Sequence, residues 1–369
     1  MKIAICGDVS VTDYSRPIFE KQDEQAAFGD VLQVFAENDR VLVNLECALT
    51  NGEYRIKKYG PNLKGPLTTA DTLKKAGVTD CMLSNNHVFD FGVEGLCDTV
   101  AALDRCGLKW TGIGDNYDAS RKDHVIVQDG ITVTVIDVCE HEYTYATENR
   151  MGARPFDPFE TMDDIRRAKK SADYVIVVYH GGKEYCQYPS PRLLNACREM
   201  VRCGADVVLC QHSHCIGCYE KFENGHILYG QGNFHFVKYI DKAQWAEGLL
   251  VQLDITKEGI EPTFVPVKAN ECGIELKHGK EKDDTLAAFW ARSETIRDGS
   301  WKQHWHEFAE SMREAYTKPL CGRSPESPAE AFQHFAHYLD CEAHTDMWHE
   351  LFPTWNQTNE LEKVQKLKP

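Results

Sequence analysis

Five short apolar runs of this chain each stop on a side chain able to bind a metal or move a proton. K-I-A-I-C-G-D-V ends around Asp8, R-V-L-V-N-L-E on Glu46, Asp80–Ser84 on Asn85-Asn86-His87, D-Y-V-I-V-V-Y-H on His180, and V-V-L-C-Q on His212-Ser213-His214. Each run has the length and branched apolar content of a buried strand. Helices are predicted between them: over 20–39 with Phe28, Leu32 and Phe35 on the apolar face, Thr68–Ala76 closed by Gly77, Gly92–Cys106 closed by Gly107, Phe159–Ser171, and Pro191–Cys203 before Gly204. Strands alternating with helices predict an α/β fold. Asp129-Gly130, between strands at 124–128 and 131–138, predicts a tight hairpin. In open α/β sheets, ligands gather beyond the carboxyl ends of the strands. Five ends of one sheet would therefore bring these groups into one crevice.

The donor set is two carboxylates, one amide oxygen and three or more imidazoles. His212 and His214 lie at i and i+2, which share a side in extended chain. The mixture suits Mn, Fe or Zn ions and suits Ca²⁺ poorly. A carboxylate between two such ions can bridge them, and two ions ~3.5–4 Å apart can activate water and stabilise both oxygens of a displacement. Each residue alone has a plainer reading. Gly7-Asp8 and Asn85-Asn86 are also turn pairs, Glu46 can be a salt-bridged acid, and His180 precedes Gly181-Gly182 at a strand end. Their coincidence at five strand ends is what carries the metal reading. Cys210, Cys215 and Cys218 flank the histidine pair and offer a competing structural-zinc site, but a second paired-thiol element is missing.

A net charge of −16 argues against a nucleic-acid partner, which needs a basic surface. The 15 scattered cysteines, with no secretory segment before Ile3, lead to the expectation of a reducing cytoplasm. No apolar run approaches the ~20 residues of a transmembrane helix. Past Cys272 the strand pattern stops and tryptophans and histidines recur at helical spacing. The expected division is a 1–272 domain and a 273–369 helical extension whose last residues, 356–369, are polar and frayed.

The ordered motifs are G-D (Gly7, Asp8), N-L-E (Asn44 to Glu46), N-N-H-x-x-D-x-G (Asn85 to Gly92), H-G-G-x-E-Y (His180 to Tyr185), G-A-D-V-V (Gly204 to Val208) with H-x-H, and Y-G-x-G-N-F (Tyr229 to Phe234). Together they resemble the CapA family of bacterial capsule and poly-γ-glutamate synthesis proteins, a branch of the calcineurin-like metallophosphoesterases. The resemblance covers about residues 1–268 and implies a four-layer α/β/β/α sandwich, with the helical segment appended. It implies one or two divalent ions: Asp8 and His214 on one, Asn86, His180 and His212 on the other, Glu46 bridging. His87 would be the general acid for the leaving group, or a stabiliser of developing charge. Asn85, Glu184 and Asn233 would support the site or meet substrate. Lys183, Arg150 and Arg154 are the cations for a substrate anion. Three departures stand out: Ser10 where phosphoesterases of the wider superfamily have a ligand histidine, Gly181 where the family usually has tryptophan, and Gln211 where it usually has glycine. Many members carry an N-terminal anchor, and this chain begins directly in a strand. The expected function is a metal-dependent hydrolase acting on a small-molecule or polymer substrate in capsule, exopolysaccharide or poly-γ-glutamate synthesis. The alternative is a non-catalytic or structural-metal component working with partner proteins of a polymer synthesis or export complex.

Overall fold

The five predicted strands form, but in two sheets rather than one. In the computed structural model, which describes residues 1–353, Lys2–Val9, Arg40–Leu45, Asp80–Met82 and Lys109–Thr111 are parallel neighbours. Glu247–Ile255, Ile260–Ala269 and Ile274–Leu276 continue this sheet antiparallel beyond Lys2–Val9, which also pairs with Asn233–His235. The second sheet runs in the order Tyr219–Phe222, Gly225–Leu228, Val207–Gln211, Tyr174–His180, Ile131–Cys139, His124–Gln128. The single-sheet expectation fails because these strands are apolar on both faces, and such a run does not reveal which neighbours it pairs with.

The two sheets face each other. Ile3, Ile5 and Leu42 of the first meet Val133, Val135, Ile176, Val178 and Leu209 of the second in one buried cluster. Period-2 alternation sends Ala4, Cys6 and Val43 to the opposite face, against Phe19, Phe28, Phe35 and Leu73 of the covering helices. Ile165, Leu193 and Met200 cover the outer face of the second sheet. These four layers are the α/β/β/α sandwich that the family resemblance implies.

Two local expectations change. The helix over 20–39 is three: Arg16–Lys21, Glu24–Phe28 and Val31–Ala36. Gln22 (φ 56°) and Gly29 (φ 49°) take left-handed conformations between them, and Phe28 and Phe35 are still buried. The strands do not stop at Cys272, since Ile274–Leu276 forms the sheet edge. The hairpin at Asp129-Gly130 has φ of 54° and 73°, the paired positive values of a type I′ turn.

Helices Gly279–Asp298, Trp301–Ser311, Arg313–Thr317, Gln333–Asp340 and Glu342–Leu351 follow. Trp301, Trp305, Tyr316, Tyr338 and Met347 join the apolar cluster on the second sheet's outer face. The predicted frayed end at 356–369 lies outside the described residues. Among the described residues no helix is long and apolar enough to cross a membrane.

Glu140 fastens this extension. It is 3% exposed, just past Ile131–Cys139. Its Oε1 accepts from Arg192 Nη2 (2.7 Å) and Gly182 N (3.1 Å). Its Oε2 accepts from Ala343 N (3.1 Å) and Cys341 Sγ (3.3 Å), placing a carboxylate at the N-terminus of Glu342–Leu351, where a helix favours negative charge.

Candidate metal centre

The carboxyl ends of both sheets converge, and the predicted ligands converge with them. Asp8 lies where the ladder between Lys2–Val9 and Arg40–Leu45 shifts register. Its Oδ1 accepts from Asn44 Nδ2 at 2.7 Å, and its Oδ2 from the backbone N–H of His212 at 3.2 Å. Gly7 permits this path, because a Cβ there would stand 2.3 Å from Gly232 O. Gly7→Ala is expected to cost about 1–3 kcal/mol and to push Asp8 and Asn233 apart. A urea melt, with metal content measured in parallel, checks both effects.

Glu46 belongs to two groups, Asp8–Glu46–His214 and Glu46–His180–His212, each with ligand atoms within 4.8 Å of one another. Asn86 Oδ1 adds to the second, 3.0 Å from His180 Nε2. Both Glu46 oxygens are buried without a hydrogen-bond partner; His180 Nε2 stands 3.4 Å from Oε1 without bonding to it. An unsatisfied buried carboxylate is costly, and a cation is the partner that would satisfy it. Burial, then the charge of Asp8, pushes the Glu46 carboxyl up to about 8. Burial also opposes ionisation of Asp8, but the hydrogen bond with His214 and the charges of His180 and His214 bring it down to about 2. Burial lowers His180 to about 4 and His212 to about 3, leaving neutral imidazoles ready to ligate. His214 moves up to about 10, because Glu46 and Asp8 outweigh its burial and hold its proton. A divalent cation beside those two carboxylates would displace that proton. The residues therefore fit a metal.

The histidine pair does not sit in extended chain. The strand ends at Gln211, and His212 and His214 adopt left-handed φ of 78° and 55°. The turn aims His212 Nδ1 at His180 Nε2 (3.2 Å) and His214 Nδ1 at Asn233 Oδ1 (2.9 Å). Asn233 is held in turn by Trp245 O at 2.9 Å.

His87 Nδ1 lies 2.6 Å from Asp90 Oδ2 and 3.0 Å from Lys58 Nζ, and Lys58 pairs with the other Asp90 oxygen. A cavity of about 450 Å³ opens here, lined by Lys58, His87, Glu142, Lys183, Glu184, His214 and Trp245, and by Tyr316, His337, Tyr338 and His344 of the extension. A larger one, about 500 Å³ around Trp110 and His124, holds none of these groups.

Asn85 lies behind the centre, bonding Asn44 Oδ1 (3.0 Å) and Leu45 O (2.9 Å). Lys183 and Glu184 face the cavity, with 3.9 Å between them. Arg154 and Arg150 are elsewhere. Arg154 is buried in a salt bridge to Asp164 (2.6 Å), and Arg150 donates to Tyr143 O (3.2 Å). Of the thiols, Cys210 faces Cys197 at 3.5 Å and Cys218 points to Gln187 O at 3.5 Å, so they are not arranged around a common ion. Asn44, Lys58, Asp90 and Glu142 were missed as site residues. Asn44 and Asp90 lay inside the motifs, whereas Lys58 and Glu142 are on loops without pattern.

Residues 2–238 match the family described as bacterial capsule synthesis protein PGA_cap. The chain belongs to the PGA_cap family. PGA biosynthesis protein CapA of Bacillus subtilis (strain 168) is 28% identical over 264 residues, 70% of this chain and 69% of that protein. Capsule biosynthesis protein CapA of Bacillus anthracis is 28% identical over 247 residues, 64% of this chain and 60% of that protein. Among solved structures, a putative 5′-nucleotidase from Staphylococcus aureus superposes with a TM-score of 0.46 at 15% identity, over 78% of this chain and 58% of that one. Within this PGA_cap chain the three departures have visible settings. Ser10 Oγ is buried without a partner. A Cβ at Gly181 would meet Glu140 Cγ at 2.6 Å, so a tryptophan has no room. Gln211 bonds Cys6 O (3.1 Å) and Gln231 Oε1 (3.0 Å), tying the two sheets together beneath the centre.

Proposed function

We propose that this PGA_cap-family chain is a metal-dependent hydrolase of capsule, exopolysaccharide or poly-γ-glutamate metabolism, cutting a phosphoester or amide bond. The observation that supports this best is Glu46, a buried carboxylate without hydrogen-bond donors shared by two sets of ligands. Asp8 and His214 would hold one divalent ion, and Asn86, His180 and His212 the other, with Glu46 between them. Mn, Fe or Zn suits these donors. Ser10 offers no imidazole to the first position, so one ion or two fit the reading. A divalent ion bound there supplies Lewis-acid polarisation of the scissile group and makes water a stronger acid. The chain does the rest. Asn44 and Asn233 fix the angles of Asp8 and His214. His87, held at Nδ1 by Asp90 on the cavity wall, would act as an imidazolium, giving its Nε2 proton to the leaving group and keeping the Nδ1 proton towards Asp90. Lys183 offers a counter-charge to an anionic substrate.

Elemental mass spectrometry on untagged protein, beside His212→Ala/His214→Ala, tests the centre. A drop of one or two equivalents of Mn, Fe or Zn from wild type to the double variant is expected; a metal-free wild type after reconstitution counts against it. His87→Gln is expected to lower kcat about 10²-fold or more with metal content unchanged.

A second reading, a non-catalytic assembly component, draws on Ser10 and on a Mycobacterium tuberculosis relative, 27% identical over 222 residues, called a probable polyglutamine synthesis accessory protein. Full metal with no turnover on phosphoester or amide substrates would favour it. A cytoplasmic site of action belongs to the proposal and rests on the odd, scattered cysteines.

A further inference from the structure

The helical extension, outside the residues matched to the PGA_cap family, reaches over the cavity with two histidines. His337 comes from Gln333–Asp340 and His344 from Glu342–Leu351. The bend at Cys341 turns their rings together, 4.4 Å between centroids at 71°. A third donor comes from the sandwich: Glu142 Oε1 lies 3.3 Å from His337 Nε2. One ligand atom from each of Glu142, His337 and His344 lies within 4.8 Å of the other two.

Surrounding groups hold these donors in place. Tyr316, 1% exposed, bonds His344 Nδ1 at 2.5 Å and so leaves Nε2 as its free donor. Metal-bound imidazoles are held through their other nitrogen in this way. His337 lies flat on Tyr143, with 4.9 Å between ring centroids. Asn86 Nδ2 donates to Glu142 Oε2 at 2.8 Å, fixing the carboxylate so that Oε1 faces the histidines. Lys183 lines the same cavity, with its ammonium 3.9 Å from Glu184. The nearby Glu140–Cys341–Glu342 group differs, because both Glu140 oxygens already accept hydrogen bonds.

We propose that Glu142, His337 and His344 form a further divalent-cation site in the roof of the cavity, distinct from the Glu46 centre. Two imidazoles and one carboxylate are a donor set for zinc, with the remaining position open to the cavity. Glu142 Oε2 also stands 3.6 Å from His212 Nε2, so one carboxylate would couple the roof site to the lower centre.

Zinc counts on chelator-stripped, reconstituted and desalted protein test this. Wild type is expected to bind one equivalent more than His337→Gln/His344→Gln. His212→Ala/His214→Ala is expected to lose zinc from the lower centre and keep the roof equivalent. Equal counts in wild type and a folded His337→Gln/His344→Gln would overturn the roof site. No loss in His212→Ala/His214→Ala would instead count against the lower centre. Should the roof variant fail to fold, zinc-edge anomalous diffraction from zinc-soaked wild-type crystals decides. A peak ~2.0–2.2 Å from Glu142, His337 and His344 supports the site, and no peak there removes it.

Discussion

Glu46→Gln is expected to empty both halves of the centre at once and to abolish turnover. The loss should exceed the ~10–100-fold that removing an outer-shell partner costs, because this carboxylate belongs to both ligand groups. The same variant should have the opposite effect on stability once metal is removed. In the folded chain the Glu46 carboxyl sits at about 8, against an ordinary value of 4.5. Between those values the folded state binds more protons than the unfolded state, so metal-free wild type loses stability as pH rises from about 4.5 through about 8. Glutamine cannot ionise and escapes that loss. Chelator-treated Glu46→Gln should therefore melt higher than chelator-treated wild type at pH 8–9, with the gap closing toward pH 5. Metal-loaded protein should reverse the order, since only wild type gains the binding energy of the ions at the Glu46 centre. Calorimetry at both pH values, with and without chelator, reads the four combinations. A variant that melts higher even with metal present would mean that Glu46 holds no ion.

Glu140→Ala is the second large effect. It removes the acceptor for Arg192, for the backbone of Gly182 and for the first turn of Glu342–Leu351. Breaking a buried charge network in this way costs about 3–5 kcal/mol. Arg192 keeps its bridge to Asp346 of the same helix at 3.0 Å, so the helix should lose part of its attachment rather than all of it. The expected result is a lower melting temperature together with protease cleavage around 320–345 under native conditions. Glu140→Gln, which keeps the shape and loses the charge, should fall between the variant and wild type. An unchanged melt and an intact extension in Glu140→Ala would show that the apolar contacts of Trp305 and Met347 hold the helices without it.

Much of the sandwich was legible in the chain because strand and helix periods differ, and because glycines such as Gly77 stop helices where the pattern ends. The proposed ligands Asp8, Glu46, Asn86, His180, His212 and His214 were legible for a related reason: each follows an apolar run, and strand ends are where sheets expose their chemistry. The split into two sheets was not, since hydrogen bonds between strands leave no trace in strands apolar on both faces. The left-handed turn at His212 was also hidden, because histidine is a residue that a plain strand end would equally contain. Lys58 and Glu142 come from loops whose path is set by contacts with Asp90, Asn86 and the extension, none of them near in sequence. Arg154 shows the reverse error. A loop arginine looked available for an anion, but Asp164, ten residues later on a helix, had already taken it.

The positive φ values at His212 and His214 also limit how this centre can drift over time. In that region of backbone space asparagine, aspartate and glycine are tolerated best, and branched residues such as valine or isoleucine are rejected. A mutation that replaces either histidine and keeps the turn will most readily install asparagine, aspartate or glycine. Two of those three carry an oxygen that can take over a ligand's place. The backbone would thus bias random substitution toward exchanging one donor for another, so that such a lineage could change its preferred ion more easily than it could lose the site.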